Sequence, residues 1–221
     1  DQKAFNILHK LNIDKPTVVT QEALGRAYII REDYINALPV YDDLIYKMTD
    51  QELKTNPQAL YFRGICYERI GKWDKAEADF KKVLSIDPNH ADALNYLGYT
   101  WIDRGEYLST SLEMIQKAVE LSPNSGAITD SLGWAHYKLG NLKKAKQNLE
   151  AAVELSPTSA TIIDHLGDIY WVIGRKKEAM YQWKRALDYN PTAKEKDYIV
   201  EKLDGQFVYQ HQRNQRIGAQ S

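Results

Sequence analysis

A glycine returns through this chain at a nearly fixed interval. Gly25, Gly64, Gly98, Gly133 and Gly167 stand 39, 34, 35 and 34 residues apart. A period of that length marks a stack of equivalent supersecondary units, each too small to bury its apolar face alone. Three further marks keep the same phase. Gly71, Gly105, Gly140 and Gly174 follow four of those glycines at seven residues. Ala37, Ala76, Thr110, Ala145 and Ala179 follow at twelve, and Pro88, Pro123, Pro157 and Pro191 close four of the units. The first glycine falls mid-helix, where it costs about 1 kcal/mol against alanine. A cost repeated at one phase implies a neighbouring helix too close for a Cβ. The second glycine suits a left-handed helix C-cap. The small residue lets a second helix pack on the first, and the proline stops that second helix. The expected unit is a pair of antiparallel helices, A and B.

Composition agrees with this and narrows the function. Lys and Arg total 29 against 30 Asp and Glu, a formal net charge of −1. Phosphate binding needs a basic excess or a clustered basic face, so nucleic acid is not the expected partner. Only 7 of 221 residues are proline, which favours helix. Cys66 is the only cysteine, so no internal disulfide is possible and no zinc-type Cys/His spacing occurs. A lone cysteine leaves the compartment open. No stretch approaches the ~20 apolar residues of a membrane span. The chain starts at Asp1 with no signal sequence, and is expected to be a piece of a longer protein.

The stretch "ALYFRGICYERIGKWDKAEADFKKVLSIDP" closely resembles the tetratricopeptide-repeat (TPR) consensus, whose period is 34 residues. The resemblance implies an all-α TPR solenoid, a right-handed superhelix of antiparallel helix hairpins. It divides a single array, 1–204, into repeats 18–56 (with a loop insertion near 50–56), 57–90, 91–125 (one extra residue near 108–112), 126–159 and 160–193. Residues 1–16 fit an incomplete further unit, because Ala4, Leu8, Leu11 and Pro16 keep helix B spacing. Residues 194–204 read as a capping helix, and 205–221 as a frayed tail. Two departures stand out: Arg63 replaces the usual Leu before Gly64, and Thr110 replaces Ala.

TPR stacks bind through the A helices, whose positions 2, 5, 9 and 12 share one face. The residues there include Tyr61 in repeat two, Asn95 and Tyr99 in repeat three, Asp130, Trp134 and Tyr137 in repeat four, and Asp164, Asp168 and Trp171 in repeat five. These nine are the candidate partner-binding residues. The aromatics would anchor a peptide, Asn95 would hydrogen-bond its backbone, and the carboxylates would favour a cationic or amide-rich ligand. The competing reading makes the aromatics packing residues and the acids a solvated face. Co-chaperone TPR domains clamp a carboxylate with Lys, Asn and Arg. Here those positions carry Glu22, Tyr61, Phe62, Asn95, Tyr96, Asp130 and Ser131, and the carboxylates would repel that ligand.

No catalytic or cofactor site is expected. Asp130-Ser131 and Asp164-His165, with His136 nearby, supply triad residue types, but adjacent helix residues point about 100° apart. No nucleophile turn, oxyanion hole or phosphate loop accompanies them. His9, His90 and His211 have no partner at ligand spacing. Residues 91–190 further resemble large TPR proteins of Gram-negative bacteria, especially alphaproteobacteria, many of them envelope-associated. That implies a periplasmic or envelope scaffold, with Trp134, Asp164, His165 and Trp171 as contacts and cytoplasm as the alternative. The expected function is a non-catalytic adaptor binding a protein or peptide. Self-assembly through an apolar end, or service as the TPR arm of a larger enzyme, are the other readings.

Overall fold

The computed structural model describes residues 2–14 and 16–205, and among them every regular element is helical. The helices are α1 (Gln2–Asp14), α2 (Val18–Ile30), α3 (Tyr34–Lys47), α4 (Asp50–Thr55), α5 (Gln58–Arg69), α6 (Trp73–Ile86) and α7 (Ala91–Asp103). They continue as α8 (Leu108–Leu121), α9 (Gly126–Lys138), α10 (Leu142–Leu155), α11 (Ala160–Val172), α12 (Lys176–Leu187) and α13 (Ala193–Leu203). The expected tail lies outside the described residues beyond 205. Contacts group the chain into two compact units, residues 1–97 and 98–221, and the division falls within α7.

The periodic marks do the work their phase assigns. A Cβ on Gly25 would stand 2.6 Å from the Tyr41 ring, on Gly64 2.8 Å from Phe80, and on Gly133 2.6 Å from Leu149. On Gly167 it would stand 2.5 Å from Trp183. Real Cβ contacts are not that short, so helix A can lie this close to helix B only as glycine. The turn glycines all take left-handed backbone, Gly71 and Gly140 at φ +77° for example. In the first hairpin that position is Glu32, at φ +58°. Before the prolines, Asp87, Ser122 and Ser156 leave the helical region (φ −124° to −138°), which ends α6, α8 and α10.

Two expectations are corrected. Residues 50–56 are not a loop insertion: Asp50–Thr55 is a helical turn and a half, started by a capping box in which Thr49 and Glu52 satisfy each other's backbone N–H. Thr110 is not the small packing residue of the third repeat. It is exposed, and Ser111 is buried at 0% exposure in its place. The extra residue sits in the α7–α8 turn, where Tyr107 adopts φ +44°, so everything on α8 shifts by one.

In the first unit, Arg63 repays its departure from the consensus. Its guanidinium donates to both carboxylate oxygens of the buried Asp79 at 2.7 and 2.8 Å and to Asp42 at 3.0 Å. It thereby ties α5 to α6 and α3. Tyr41 fills the Gly25 notch at 0% exposure and stacks on Phe62 with centroids 5.8 Å apart. In the second unit the core runs through Trp134, Leu149, Ile163, Ile169, Trp183 and Ile199.

Candidate functional site

Seven of the nine candidate residues lie in the second unit, and the structure draws them together. Trp134 and Tyr137 on α9 belong to one apolar cluster, against which Tyr99 of α7 and Trp171 of α11 pack half-buried. Trp134 and Tyr137 have ring centroids 4.9 Å apart. Trp134 is 1% exposed, so it supports the face from below and does not stand on it. Its indole N–H is buried with no hydrogen-bond partner among the described residues. Trp171 tilts against Trp183 at 5.2 Å and carries the Lys176 ammonium over its ring at 3.4 Å.

The three carboxylates each meet a cation from the following A-type helix. His165 of α11 donates through Nδ1 to Asp130 of α9, at 2.9 and 3.0 Å to the two oxygens. The imidazole ring itself stacks on Trp134 at 4.6 Å. Lys202 of α13 donates to both Asp164 oxygens and to Asp168 Oδ1, all at 2.7 Å. The Trp183 indole N–H donates to the same Asp168 oxygen at 2.9 Å. All five ionisable side chains are buried. The result is a polar ladder running α9–α11–α13 through the interior. At the exposed surface, Thr161 of α11 also donates to Glu195 of α13 at 2.5 Å, outside this buried set.

Burial opposes the charge on His165, but Asp130, Asp164 and Asp168 outweigh it and push its pKa up to about 9. The ring is therefore an imidazolium at neutral pH. Burial, then the neighbouring Asp164, push Asp168 up to about 7 against the pull of Lys202. For Lys202, burial is again the largest opposing influence, and the two aspartates raise it regardless. This arrangement serves cohesion: the Asp130–His165 pair lies under Trp134, and the Ser131 hydroxyl donates instead to the Ala127 carbonyl at 3.1 Å.

Tyr61 and Asn95 belong to the first unit. Tyr61 is buried at 9% exposure between Phe62, Phe80 and His90, and burial with the Asp92 charge raises its pKa. Asn95 is half-buried on α7, its Oδ1 enclosed and without a hydrogen-bond partner among the described residues.

Reading the helix face by spacing missed Lys202 and Trp183, which do much of the chemistry here. A signal was present. Ile199, Lys202 and Leu203 share one stripe of α13, so a lysine stands on an apolar face and calls for a buried anion.

Known proteins agree with this architecture. Residues 57–90 and 130–159 each match the tetratricopeptide repeat family. The TPR repeat-containing protein PA4667 of Pseudomonas aeruginosa is 36% identical over 107 residues, 47% of this chain and 18% of that protein. The chain thus spans less than one-fifth of that relative's length. Among solved structures, the thermophilic TPR protein TTC0263 of Thermus thermophilus superposes with a TM-score of 0.70 at 22% identity. That match covers 85% of this chain and 99% of that one. PilW, a widely conserved type IV pilus biogenesis factor, gives 0.68 at 21% identity, covering 86% of each chain. The chain carries tetratricopeptide repeats, and its fold is the all-α TPR solenoid.

Proposed function

We propose that this chain is a non-catalytic scaffold that holds a segment of another protein on the A-helix face of repeats three to five. The observation that carries the reading is the placement of Tyr99 and Trp171. Both stand half-buried against the apolar cluster to which Trp134 and Tyr137 belong, Trp171 against Trp183. Aromatic side chains already fixed by their neighbours lose little entropy on binding and make good anchors. Asp130, Asp164 and Asp168 contribute by locking α9, α11 and α13 at fixed spacing. Their charge is largely taken up by His165 and Lys202, so the ligand is recognised by apolar and aromatic contact more than by cationic groups.

The test is the double variant Tyr99→Ala/Trp171→Ala, with helicity checked by circular dichroism. Intact protein and variant are used for affinity capture from the native host, followed by mass spectrometry. The partners held by the parent should be lost from a variant that stays folded. An unchanged set would remove the assignment.

The finer reading places the scaffold in the cell envelope. It rests on the resemblance of residues 91–190 to envelope-associated TPR proteins, and no helix among the described residues is long and apolar enough to cross a membrane. Fractionation of the host decides it, since recovery of the full-length protein with the cytoplasmic fraction would overturn the placement.

A further inference from the structure

Helix α12 sorts its residues by chemistry more cleanly than the other B helices. Ala179, Trp183 and Ala186 are 0% exposed and face the core. The residues it leaves exposed are Lys176, Lys177, Met180, Tyr181 and Lys184, with no acid among them. Glu178 is half-buried and taken up by Arg175 at 2.9 Å, and the first exposed acid, Asp188, comes at the C-cap. The other B helices each expose a carboxylate within the helix: Asp43 on α3, Asp74 on α6, Glu113 and Glu120 on α8, and Glu154 on α10.

Spacing gathers these residues into one patch. Positions 177, 180, 181 and 184 fall at i, i+3, i+4 and i+7, a single helix face. Met180 (38% exposed) and Tyr181 (64%) occupy its middle, with Lys177 and Lys184 a turn to either side. Lys176 lies on the flank, its ammonium over the Trp171 ring at 3.4 Å. One period earlier Lys143 stands at the position of Lys177, exposed as well, with Lys144 beside it. Arg185 donates to the Pro157 carbonyl at 2.6 Å and so fixes α12 to the segment that follows α10.

We propose that this patch docks the second unit on an anionic lipid surface. Each part suits one layer of such a surface. The lysines reach the lipid phosphates, and each strengthens partitioning by roughly fivefold. Tyr181 supplies the amphipathic ring that sits at headgroup level, and Met180 supplies apolar surface at the acyl boundary. An acidic protein segment would satisfy the lysines and leave Met180 and Tyr181 in water. A bilayer takes up both kinds of group and needs no groove in the protein, because the projecting side chains enter it. The patch is separate from the partner-binding face, whose anchors Tyr99 and Trp171 stand on α7 and α11.

The test is flotation of the full chain with vesicles of phosphatidylcholine alone, or of equal parts phosphatidylcholine and phosphatidylglycerol. The protein should rise with the anionic vesicles only. It should come off at about 0.5 M salt, where the screening length is roughly 4 Å. Lys177→Gln/Lys184→Gln changes two exposed positions and should weaken partitioning by roughly twentyfold or more. Tyr181→Ala should weaken it by roughly threefold or more. Circular dichroism checks that both variants keep the parent's helicity. Failure of the parent to float with anionic vesicles would overturn the proposal, and so would equal flotation of the double lysine variant. If immobilised polyglutamate retains the parent while the vesicles do not, the patch belongs to an acidic protein instead, and the lipid assignment is wrong.

Discussion

Lys202→Met removes the ammonium that donates to Asp164 and Asp168 while keeping an unbranched chain of similar length. The Lys202 side chain is 1% exposed and donates to three carboxylate oxygens at 2.7 Å. At charge separations near 3 Å and an effective dielectric of about 20, each ion pair is worth roughly 5 kcal/mol before desolvation. Burying the ions costs several kcal/mol apiece, so the intact cluster adds little net stability. Deleting only the cation is different, because it leaves two buried carboxylates facing each other, at a cost of about 3–5 kcal/mol. Asp168 keeps the Trp183 indole N–H, whereas Asp164 loses both of its bonds to Lys202. The loss should surface locally. α13 fully buries only Ile199 and Lys202, and each helix of a repeat array is held chiefly by its neighbours. In hydrogen exchange at about pH 8, protection of residues 193–203 should fall by roughly 10²–10³-fold, down to the limit of a free helix. Two controls sharpen the test. Because burial and Asp164 already raise the Asp168 pKa and Lys202 is what pulls it down, the carboxyl should titrate higher still in the variant, and the deficit should shrink on acidification as the proton replaces the lost cation. Adding Asp164→Asn and Asp168→Asn should recover most of the protection by removing the uncompensated charge. If Lys202→Met keeps α13 protection within about threefold of the parent, the cluster is not what holds the helix, and the reasoning is wrong.

Two further outcomes follow from the same geometry. The His165 pKa is raised from 6.5 to about 9, so the stability it contributes is complete below the lower value and lost as pH rises through the upper one. Urea unfolding at about pH 7 and 9.5 should show a decline of order 3 kcal/mol that is absent in His165→Gln, and an equal decline in that variant would sink the assignment. Glu32 holds a left-handed conformation at φ +58° at the C-terminal end of α2, where a negative charge also opposes the helix dipole. Glu32→Gly should therefore raise stability by about 0.5–1 kcal/mol in thermal unfolding despite the entropy of glycine, and a destabilised variant would show that strain is not stored there.

The fold was legible because close approach leaves a mark that composition cannot hide: a glycine in mid-helix at every period. The same logic failed where a residue was added. The spacing places the extra residue near 108–112, inside α8, whereas the left-handed Tyr107 shows that the turn before α8 absorbs it and puts Ser111 in the packed position. Helix α4 went unread although its start was written in Thr49 and Glu52, a capping box. The candidate site was legible in membership more than in role. Spacing places Asp130, Trp134, Asp164 and Asp168 on one side of their helices. It does not show that the next helix lays His165 and Lys202 over them, because those contacts join residues 34 to 38 apart and depend on how the helices stack. The Asp164-His165 dipeptide illustrates the difference, since the histidine turns away from its neighbour toward Asp130, one repeat back.

The ladder through α9, α11 and α13 also has a direction. Each buried ion-paired rung sets an acid on the earlier helix against a base on the later one, and these rungs are not copies of each other. Excising residues 160–193, a whole period, would bring Ile199 to the register that His165 now holds against Asp130. A duplicated fourth repeat would present Ser131 there instead. These repeats are therefore words in a sentence rather than interchangeable beads. Recombination in nature, or shuffling in the laboratory, must carry acid and base together across each seam, or it leaves a stranded charge in the interior.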